Sequence, residues 1–388
     1  MKKILTIGSA RVNYPEERFF SHLKNIEIKN LEKYDVNRYI NKIRRGNKKS
    51  DYFFKSLLND TFTGVDSFYM FNYLLDTKKK WALSFETLIP RISDTYDIHR
   101  QIQKLSERKT DESIIKYLDL LSRDNCLAIN AISQMSFNIQ RDFLSPYTDF
   151  FEEILKKTKV IHPPQNVYLT DKAENKNEKL KLLFVGNDFH RKGGGEILIA
   201  LDELIKDNLI KDIDLEVLLI GDFEKKCNYA FNIFQDDTSY YDNLRSIIKN
   251  NNFINVVKSI DNKDLLILMS QYDIGLLPTW ADTYGYSVLE MQSMSLPVIT
   301  TNIRTLPEIN LPENIIYLEV NSYGEVIINS YENKSRLRRF IIDGIKEKIL
   351  YYFFNREMIL KNSKKSITSL KLLNNPDIFR KEINRIFS

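Results

Sequence analysis

Residues 181–195 read KLLFVGNDFHRKGGG, which is a short apolar run, a glycine, a polar turn with two adjacent cations and three consecutive glycines. The run Lys181–Val185 has the length and composition of a strand that is buried on both faces of a parallel sheet. Apolar residues then recur at helical spacing over Glu196–Ile210. A buried strand, a glycine-rich loop and a helix in this order predict one unit of an open α/β sheet, whose ligand site lies at the loop.

The same alternation of strand and helix patterns continues to about residue 325. It predicts a doubly wound parallel sheet. The further strands are predicted at Leu215–Ile220, Ile254–Ile260, Ile274–Leu277, Pro297–Thr301 and Ile315–Val320, and the helices at Tyr241–Lys249, Lys263–Ser270 and Tyr286–Met294.

The patterns before residue 178 are weaker. Thr170–Lys179 is polar and lacks apolar spacing, as a linker between domains would. We therefore expect one α/β domain over residues 1–170, a second over 178–345, and a helical segment over 346–388. The predicted strands of the first domain are Lys3–Ile7, Ser67–Phe71, Trp81–Phe85 and Leu127–Ile132, and the late helices are Lys334–Lys364 and Asp377–Phe387.

Composition excludes several classes of protein. The 388 residues are 43% apolar, which argues against a disordered protein. The 57 basic and 52 acidic residues leave a net charge of only +5, which argues against a dedicated nucleic-acid binder. Two cysteines are too few for a disulfide framework or a four-cysteine zinc site. The four histidines lack metal-ligand spacing, and Asp212-Ile213-Asp214 imitates a DxD metal motif at the wrong end of its strand. We expect a cytoplasmic protein without a metal, and we interpret Met1–Ile7 as a first strand and not as a signal sequence.

The first candidate site is the glycine-rich loop. Backbone N–H groups at a helix start form an anion nest, and Arg191 and Lys192 add full charges. The segment therefore favours a phosphate or diphosphate at Gly186, Asn187 and Gly193. It matches neither the P-loop nor the GxGxxG pattern, and a solvated basic turn is the alternative.

The second candidate site is Pro278–Glu290, PTWADTYGYSVLE. Asp282 lies in the loop after a strand, Gly285 permits close approach of the backbone, and Glu290 lies a turn into the next helix. Free N–H groups near Tyr284–Tyr286 favour a second anion site. Two acids so far apart can reach opposite ends of an extended ligand. The alternative is an N-cap acid followed by a solvated helix acid.

Together these segments resemble a family, the retaining glycosyltransferases known as family 4 or glycosyl transferases group 1. The similarity covers residues of about 180–310, where VGNDFHRKGG, PTWADTYGYSVLE, LPVITTN and LPEI follow in the family's order. It implies an α/β fold of the GT-B class, with two facing Rossmann-like doubly wound domains and a C-terminal helical segment. The first domain would bind the acceptor, the second a nucleotide-diphosphate sugar, and residues 346–388 would pack back toward the first domain.

The resemblance also implies roles for individual residues. Lys192, with Arg191 beside it, would bind the donor diphosphate and support catalysis. Asp282 would contact the donor sugar, and Glu290 would bind the ribose hydroxyls. The other implied donor contacts are Gly186, Asn187 and Gly193 at the first loop, Tyr284, Gly285 and Tyr286 at the second, and Lys258, Ser259 and Ile260 beside the nucleobase.

Four positions depart from the family pattern. Asp282 replaces a longer Glu, Thr283 replaces a Gly, and Asn187 replaces an Arg for which Arg191 would compensate. In the first domain Glu86 stands where relatives carry a His close to the donor sugar. We interpret Glu86 as an acceptor-side base or sugar contact; the alternative is a carboxylate at a strand end that caps the next turn.

The resemblance implies transfer of a sugar to an acceptor hydroxyl with retention of configuration, without a cofactor or metal. The acceptor would be a sugar, glycan or lipid-linked molecule, in surface polysaccharide or glycoconjugate synthesis. Two alternatives stay open, a non-catalytic sugar-nucleotide-binding partner subunit and a GT-B epimerase or hydrolase. Basic and aromatic residues alternate over residues 42–55, and this stretch is either a solvated surface or a peripheral contact with anionic lipid.

Overall fold

The structure is a computed structural model, and it describes residues 5–12, 16–36, 52–55, 64–92, 95, 97–170 and 179–388. The chain divides into two compact units. The first is Met1–Pro164 together with Asn374–Ser388, and the second is Gln165–Leu373. The basic stretch predicted over residues 42–49 lies outside the described residues.

The first unit is built on a six-stranded parallel sheet in the order β2-β1-β4-β6-β7-β8. Its two central strands, β4 and β6, are buried along their whole length, as expected for strands that are covered on both faces. The strands are β1 Leu5–Ser9, β2 Ile26–Asn30, β4 Ser67–Phe71, β6 Trp81–Phe85, β7 Cys126–Ala131 and β8 Thr158–Val160, beside a small pair, β3 Phe53–Phe54 and β5 Leu74–Leu75.

Five described helices belong to the first unit. Four precede residue 160, and the fifth is formed by Pro376–Phe387. In this fifth helix Phe379 is buried against Phe19, with ring centroids 5.6 Å apart, and the Arg380 guanidinium donates to the His22 carbonyl at 3.0 Å. The helices are α1 Glu16–Phe20, α2 Glu112–Ser122, α3 Gln134–Leu144, α4 Thr148–Lys157 and α12 Pro376–Phe387.

The second unit contains another six-stranded parallel sheet, in the order β11-β10-β9-β12-β13-β14. Numbered along this unit, the order is 3-2-1-4-5-6, which is that of the Rossmann fold. The strands are β9 Leu180–Val185, β10 Leu215–Ile220, β11 Ile254–Val257, β12 Ile274–Leu277, β13 Val298–Thr301 and β14 Ile315–Ile316. The helices are α5 Gly194–Lys206, α6 Thr238–Asn250, α7 Asn262–Met269, α8 Tyr286–Ser293, α9 Leu306–Ile309, α10 Tyr331–Phe354 and α11 Glu357–Leu373.

Several predicted elements have different limits in the structure. β11 ends at Val257 and not at residue 260, and Lys258 beyond it is exposed and pairs with Asp222. β14 is also shorter than predicted, because Leu318 N–H donates to the Asn302 side chain at 2.8 Å instead of continuing the strand. The long late helix is two helices, α10 and α11, because the backbone at Asn355 leaves the helical region (φ −129°, ψ 66°).

The helical segment predicted over residues 346–388 is divided between the two units. Helices α10 and α11 lie in the second unit, where Arg339 and Lys346 of α10 both pair with Glu203 of α5. Helix α12 lies in the first unit. None of the helices described combines the length and apolar character that crossing a membrane requires.

Candidate functional site

The candidate site lies where the strand order of the second sheet reverses. β9 and β12 are neighbours there, although the chain leaves them toward opposite edges. In open α/β sheets ligands bind outside the carboxyl ends of the strands at such a switch point. The loop after β9, residues 186–193, and the loop after β12, residues 278–285, are the two segments that the sequence selected.

Gly193 lets the two loops touch. Its φ of +91° is one that side chains rarely adopt, and a Cβ atom there would lie 2.2 Å from the Pro278 carbonyl oxygen. Both constraints require glycine at this position. The main chain of the β12 loop therefore lies directly against the start of α5.

Lys192 and Asp282 form an ion pair between the two loops, Nζ to Oδ2. Their side chains are 14% and 13% exposed. Burial lowers the pKa of the Lys192 ammonium, although Asp282 opposes this. Burial also raises the pKa of the Asp282 carboxyl, but the charges of Lys192 and Arg191 outweigh it and hold the pKa below its ordinary value. From the sequence we expected Lys192 at the diphosphate and Asp282 at the sugar of the donor. In the structure the two side chains contact each other directly.

Arg191 also joins the two loops. Its Nη1 donates to the Ala281 carbonyl at 2.5 Å, and its Nε donates to Asp188 Oδ2 at 3.1 Å. The Arg191 carbonyl in turn accepts from Trp280 N–H at 2.9 Å. The guanidinium carbon lies 5.0 Å from the centre of the Tyr229 ring. Arg191 is thus bound to the protein on several sides.

Several amides of the predicted anion nest at the first loop make hydrogen bonds within the protein. The N–H groups of Lys192, Gly193 and Gly194 donate to the carbonyls of Asp188, His190 and Phe189, at 2.9–3.2 Å. The Gly186 N–H donates to Ile220 in the sheet at 2.9 Å. These four amides are therefore already engaged within the protein, and the side chain of Lys192 adds a cation beside them. Asn187 is exposed at the edge of this loop.

The second loop is fixed by the segment that follows β13. Thr305 Oγ1 donates to the Thr283 carbonyl at 3.0 Å, and a Cβ at Gly285 would lie 2.5 Å from Leu306. Tyr284 and Tyr286 stack, with ring centroids 5.1 Å apart. The LPEI motif thus supports the backbone at the start of α8. Glu290 lies on that helix and is half-buried.

The residues expected beside a nucleobase lie at the end of β11, two strands from β9 on the same edge of the sheet. Lys258 and Ser259 are exposed, and Ile260 is half-buried. Lys258 Nζ lies 3.1 Å from Asp222 Oδ2. None of the contacts described here joins these residues to Lys192.

Glu86 lies in the first unit, directly after β6. Its carboxylate accepts from Asn72 Nδ2 and from Arg91 Nη1, both at 2.9 Å, and its N–H donates to Asn72 Oδ1 at 3.0 Å. Ser136 Oγ donates to its carbonyl at 2.7 Å. These contacts hold the Glu86 carboxylate in the turn after β6.

The sequence did not indicate a buried charge network behind the site. Arg338 of α10 lies between Glu196 at the start of α5 and Asp236, at 2.9 and 2.7 Å. Lys334 adds a second cation at Asp236, 2.7 Å away. Because α10 follows the site by more than forty residues, no local pattern could reveal this contact. Among the residues that the structure describes, no group of three His, Cys, Asp or Glu side chains could hold a metal ion.

Comparison with known proteins gives one family and several similar structures. The family described as glycosyl transferases group 1 matches residues 169–375. An uncharacterized 41.2 kDa protein in the cps region of Klebsiella pneumoniae is 30% identical over 136 residues, which are 35% of this chain. The match spans about a third of that relative's length, 31%.

Two solved structures resemble the whole chain. A glycosyltransferase from Rickettsia africae ESF-5 has a TM-score of 0.59 at 15% identity, covering 100% of this chain and 98% of that one. WaaG, a glycosyltransferase involved in lipopolysaccharide biosynthesis, has a TM-score of 0.54 at 13% identity, covering 98% and 99%. With the two Rossmann-like sheets, these similarities confirm the predicted α/β fold of the GT-B class.

Proposed function

Since this chain belongs to the glycosyl transferases group 1 family, we propose that it is a glycosyltransferase whose donor is a nucleotide-diphosphate sugar bound by the second unit. The observation that carries the proposal is the buried ion pair between Lys192 and Asp282 at the switch point of the sheet. A cation held in a site shielded from water is suited to an anion that develops charge during a reaction.

Lys192 would act on the leaving group. When the bond between the sugar and the diphosphate breaks, negative charge grows on the phosphate oxygen. A lysine that is already in place stabilises that charge without reorganisation of solvent. To do so its ammonium must turn from the Asp282 carboxylate toward the phosphates or share its protons between them.

Asp282 would then serve the sugar. Its carboxylate is ionised and accepts a hydrogen bond from Thr283 N–H at 2.8 Å. Once Lys192 is shared with the diphosphate, the other carboxylate oxygen can accept from a sugar hydroxyl. Glu290 lies about one turn into helix α8. It is proposed to bind the ribose hydroxyls, because carboxylates are strong hydrogen-bond acceptors for hydroxyl groups.

The proposal has two further parts: the sugar is transferred with retention of its anomeric configuration, and the acceptor is bound by the first unit. The motif order over residues of about 180–310 supports retention through its resemblance to retaining enzymes. The resemblance of the fold to WaaG supports a surface glycoconjugate as the product. Glu86 remains our proposal for an acceptor-side contact, with Arg91 and Asn72 holding its carboxylate at the end of β6.

A thermal-shift panel tests the donor. UDP, GDP, ADP and CMP are compared with UDP-glucose, GDP-mannose and ADP-glucose. A ligand at about 100 times its dissociation constant stabilises the folded state by roughly 2.7 kcal/mol. We expect one nucleotide series to raise Tm, and Lys192→Ala to abolish the effect. Lys206→Ala is the matched control, because Lys206 lies in the same segment but is 71% exposed.

Two results would contradict the proposal. If no nucleotide shifts Tm of the folded wild-type protein, the second unit does not bind a nucleotide-diphosphate sugar. If a nucleotide binds but no sugar is transferred to any of a panel of acceptors, the protein is a binding subunit. The anomeric configuration of the product, read by NMR, tests retention separately.

A further inference from the structure

We propose that Arg191 is a positioning residue that holds the Asp282 loop, and that it does not bind the donor diphosphate directly. This inference rests on the proposed function. All three nitrogens of its guanidinium donate to protein acceptors, Nε and Nη2 to Asp188 and Nη1 to Ala281. The side chain is 13% exposed, and Tyr229 lies against the guanidinium. We call Asp188, Arg191, Lys225 and Tyr229 the arginine cluster.

The carboxylate partner of Arg191 is held in its charged form. Burial raises the pKa of Asp188, but its bonds to Lys225 and Arg191 outweigh this and bring the pKa below its ordinary value. Arg191 thus faces a full negative charge at two of its nitrogens. A phosphate that engaged the whole guanidinium would have to displace an ionised carboxylate and break the bond to Ala281, and the two N–H groups that these bonds leave, one on each Nη, belong to a side chain that is only 13% exposed.

Arg191 instead fixes the backbone that leads to Asp282. Its carbonyl accepts from Trp280 N–H at 2.9 Å and from Thr279 Oγ1 at 3.2 Å, and its Nη1 binds the Ala281 carbonyl. Three consecutive residues before Asp282 are therefore attached to residue 191, and the bond to Ala281 is the one that the guanidinium itself makes. Because Lys192 is the next residue, the same attachments set the position of the ammonium relative to the Asp282 carboxylate.

The rest of the arginine cluster comes from an unusually long connection. The chain runs from residue 221 to residue 237 between β10 and α6, whereas such connections are typically about 2–6 residues long. Phe231 of this connection is buried against Trp280, with ring centroids 4.8 Å apart, and Lys334 of α10 donates to the Phe234 carbonyl at 2.7 Å. The connection is thus anchored, and it carries Lys225 and Tyr229 to the site.

Asp188→Asn distinguishes the two roles of Arg191 by the sign of its effect. Calorimetry with UDP, GDP and ADP first identifies the nucleoside diphosphate that the wild type binds. If Arg191 only positions the loop, the dissociation constant of this diphosphate for Asp188→Asn should stay within about threefold of the wild-type value. Turnover should fall by about 10- to 100-fold, since a misplacement of about 1 Å has that effect. If Arg191 were a phosphate ligand, removing the competing carboxylate would tighten diphosphate binding.

Arg191→Lys and Arg191→Gln complete the test. Lysine keeps the charge but cannot reach Asp188 and Ala281 with a planar fork. We expect both variants to bind the diphosphate as the wild type does and to lose turnover alike. If Arg191→Gln weakens diphosphate binding as strongly as Lys192→Ala and lysine restores it, the inference is wrong. Should Arg191→Gln not fold, Arg191→Lys and Asp188→Asn still decide. If the wild type binds no nucleotide, the proposed function has failed instead.

Discussion

Lys192→Met removes the ammonium of the buried ion pair and keeps most of the side-chain volume. Breaking a buried pair by removing one partner costs about 3–5 kcal/mol, because the other charge stays buried. Asp282 keeps a hydrogen bond from Thr283 N–H at 2.8 Å and has Arg191 nearby. We therefore expect the low end of that range, about 3 kcal/mol, which corresponds to roughly 6–12 °C in Tm for a unit of this size.

The loss of stability should depend on pH. In the wild type the depressed pKa of Asp282 means that its stabilising contribution is present above the unfolded pKa of about 3.9 and is lost as the pH falls through the folded pKa. Without Lys192 the largest influence that opposes burial is removed, and we expect the pKa of Asp282 to rise above its unfolded value, which reverses the sign. The variant should be most destabilised at neutral pH and should approach the wild type near pH 4–5.

Two assays check this prediction. Urea unfolding at pH 7.5 and pH 5.0 measures the free energy of unfolding, and Lys192→Met/Asp282→Asn should recover most of the loss at pH 7.5. Transfer assays should show a fall in rate of about 10²–10³, since removing one charge-stabilising donor costs about 2.7–4 kcal/mol of barrier. A variant with unchanged stability at pH 7.5 and unchanged turnover would refute both the burial of the pair and its role.

Three further predictions follow from single contacts. Gly193→Ala should lose nucleotide binding and at least 1 kcal/mol of stability, because of its φ of +91° and its contact with a backbone carbonyl; a variant that binds normally in the thermal-shift assay would contradict the close approach of the loops. Glu290→Gln should weaken binding of the nucleoside diphosphate without changing the urea midpoint, and equal binding of ribo- and 2′-deoxyribonucleotides by wild type would contradict a ribose contact. Arg338→Met should lower the free energy of unfolding by about 3–5 kcal/mol, since it leaves Glu196 buried and unpaired; Arg336→Met, an exposed control on the same helix, should change it by less than about 1 kcal/mol.

The central strands of the second unit could be predicted from sequence because each is a continuous apolar run. Leu180–Val185 and Ile274–Leu277 lie inside the sheet and bury both faces, so their composition is distinctive. Gly186 follows the first of these strands and Pro278 the second, and each marks the end of its strand. In the first unit the edge strand Ile26–Asn30 alternates apolar and polar residues and is partly exposed, which is why the sequence did not identify it.

The geometry of the site could be predicted only in part. The pattern selected Lys192 and Asp282 because cations and acids at strand ends are local features. It could not show that the loop amides satisfy the loop's own carbonyls, since that depends on turn geometry. Nor could it show that Arg338 or Tyr229 lies near the site, because those contacts depend on how distant segments pack.

The division of the chain into units has a consequence for synthesis on the ribosome. Residues 374–388 belong to the first unit, so this unit is completed only after the second one has been translated. The second unit, residues 165–373, emerges whole before helix α12 is translated. Domains generally fold as they are made, but Phe19 stays uncovered by Phe379 until the second unit has been translated. During translation the first unit therefore lacks one of its helices until the second unit has been made.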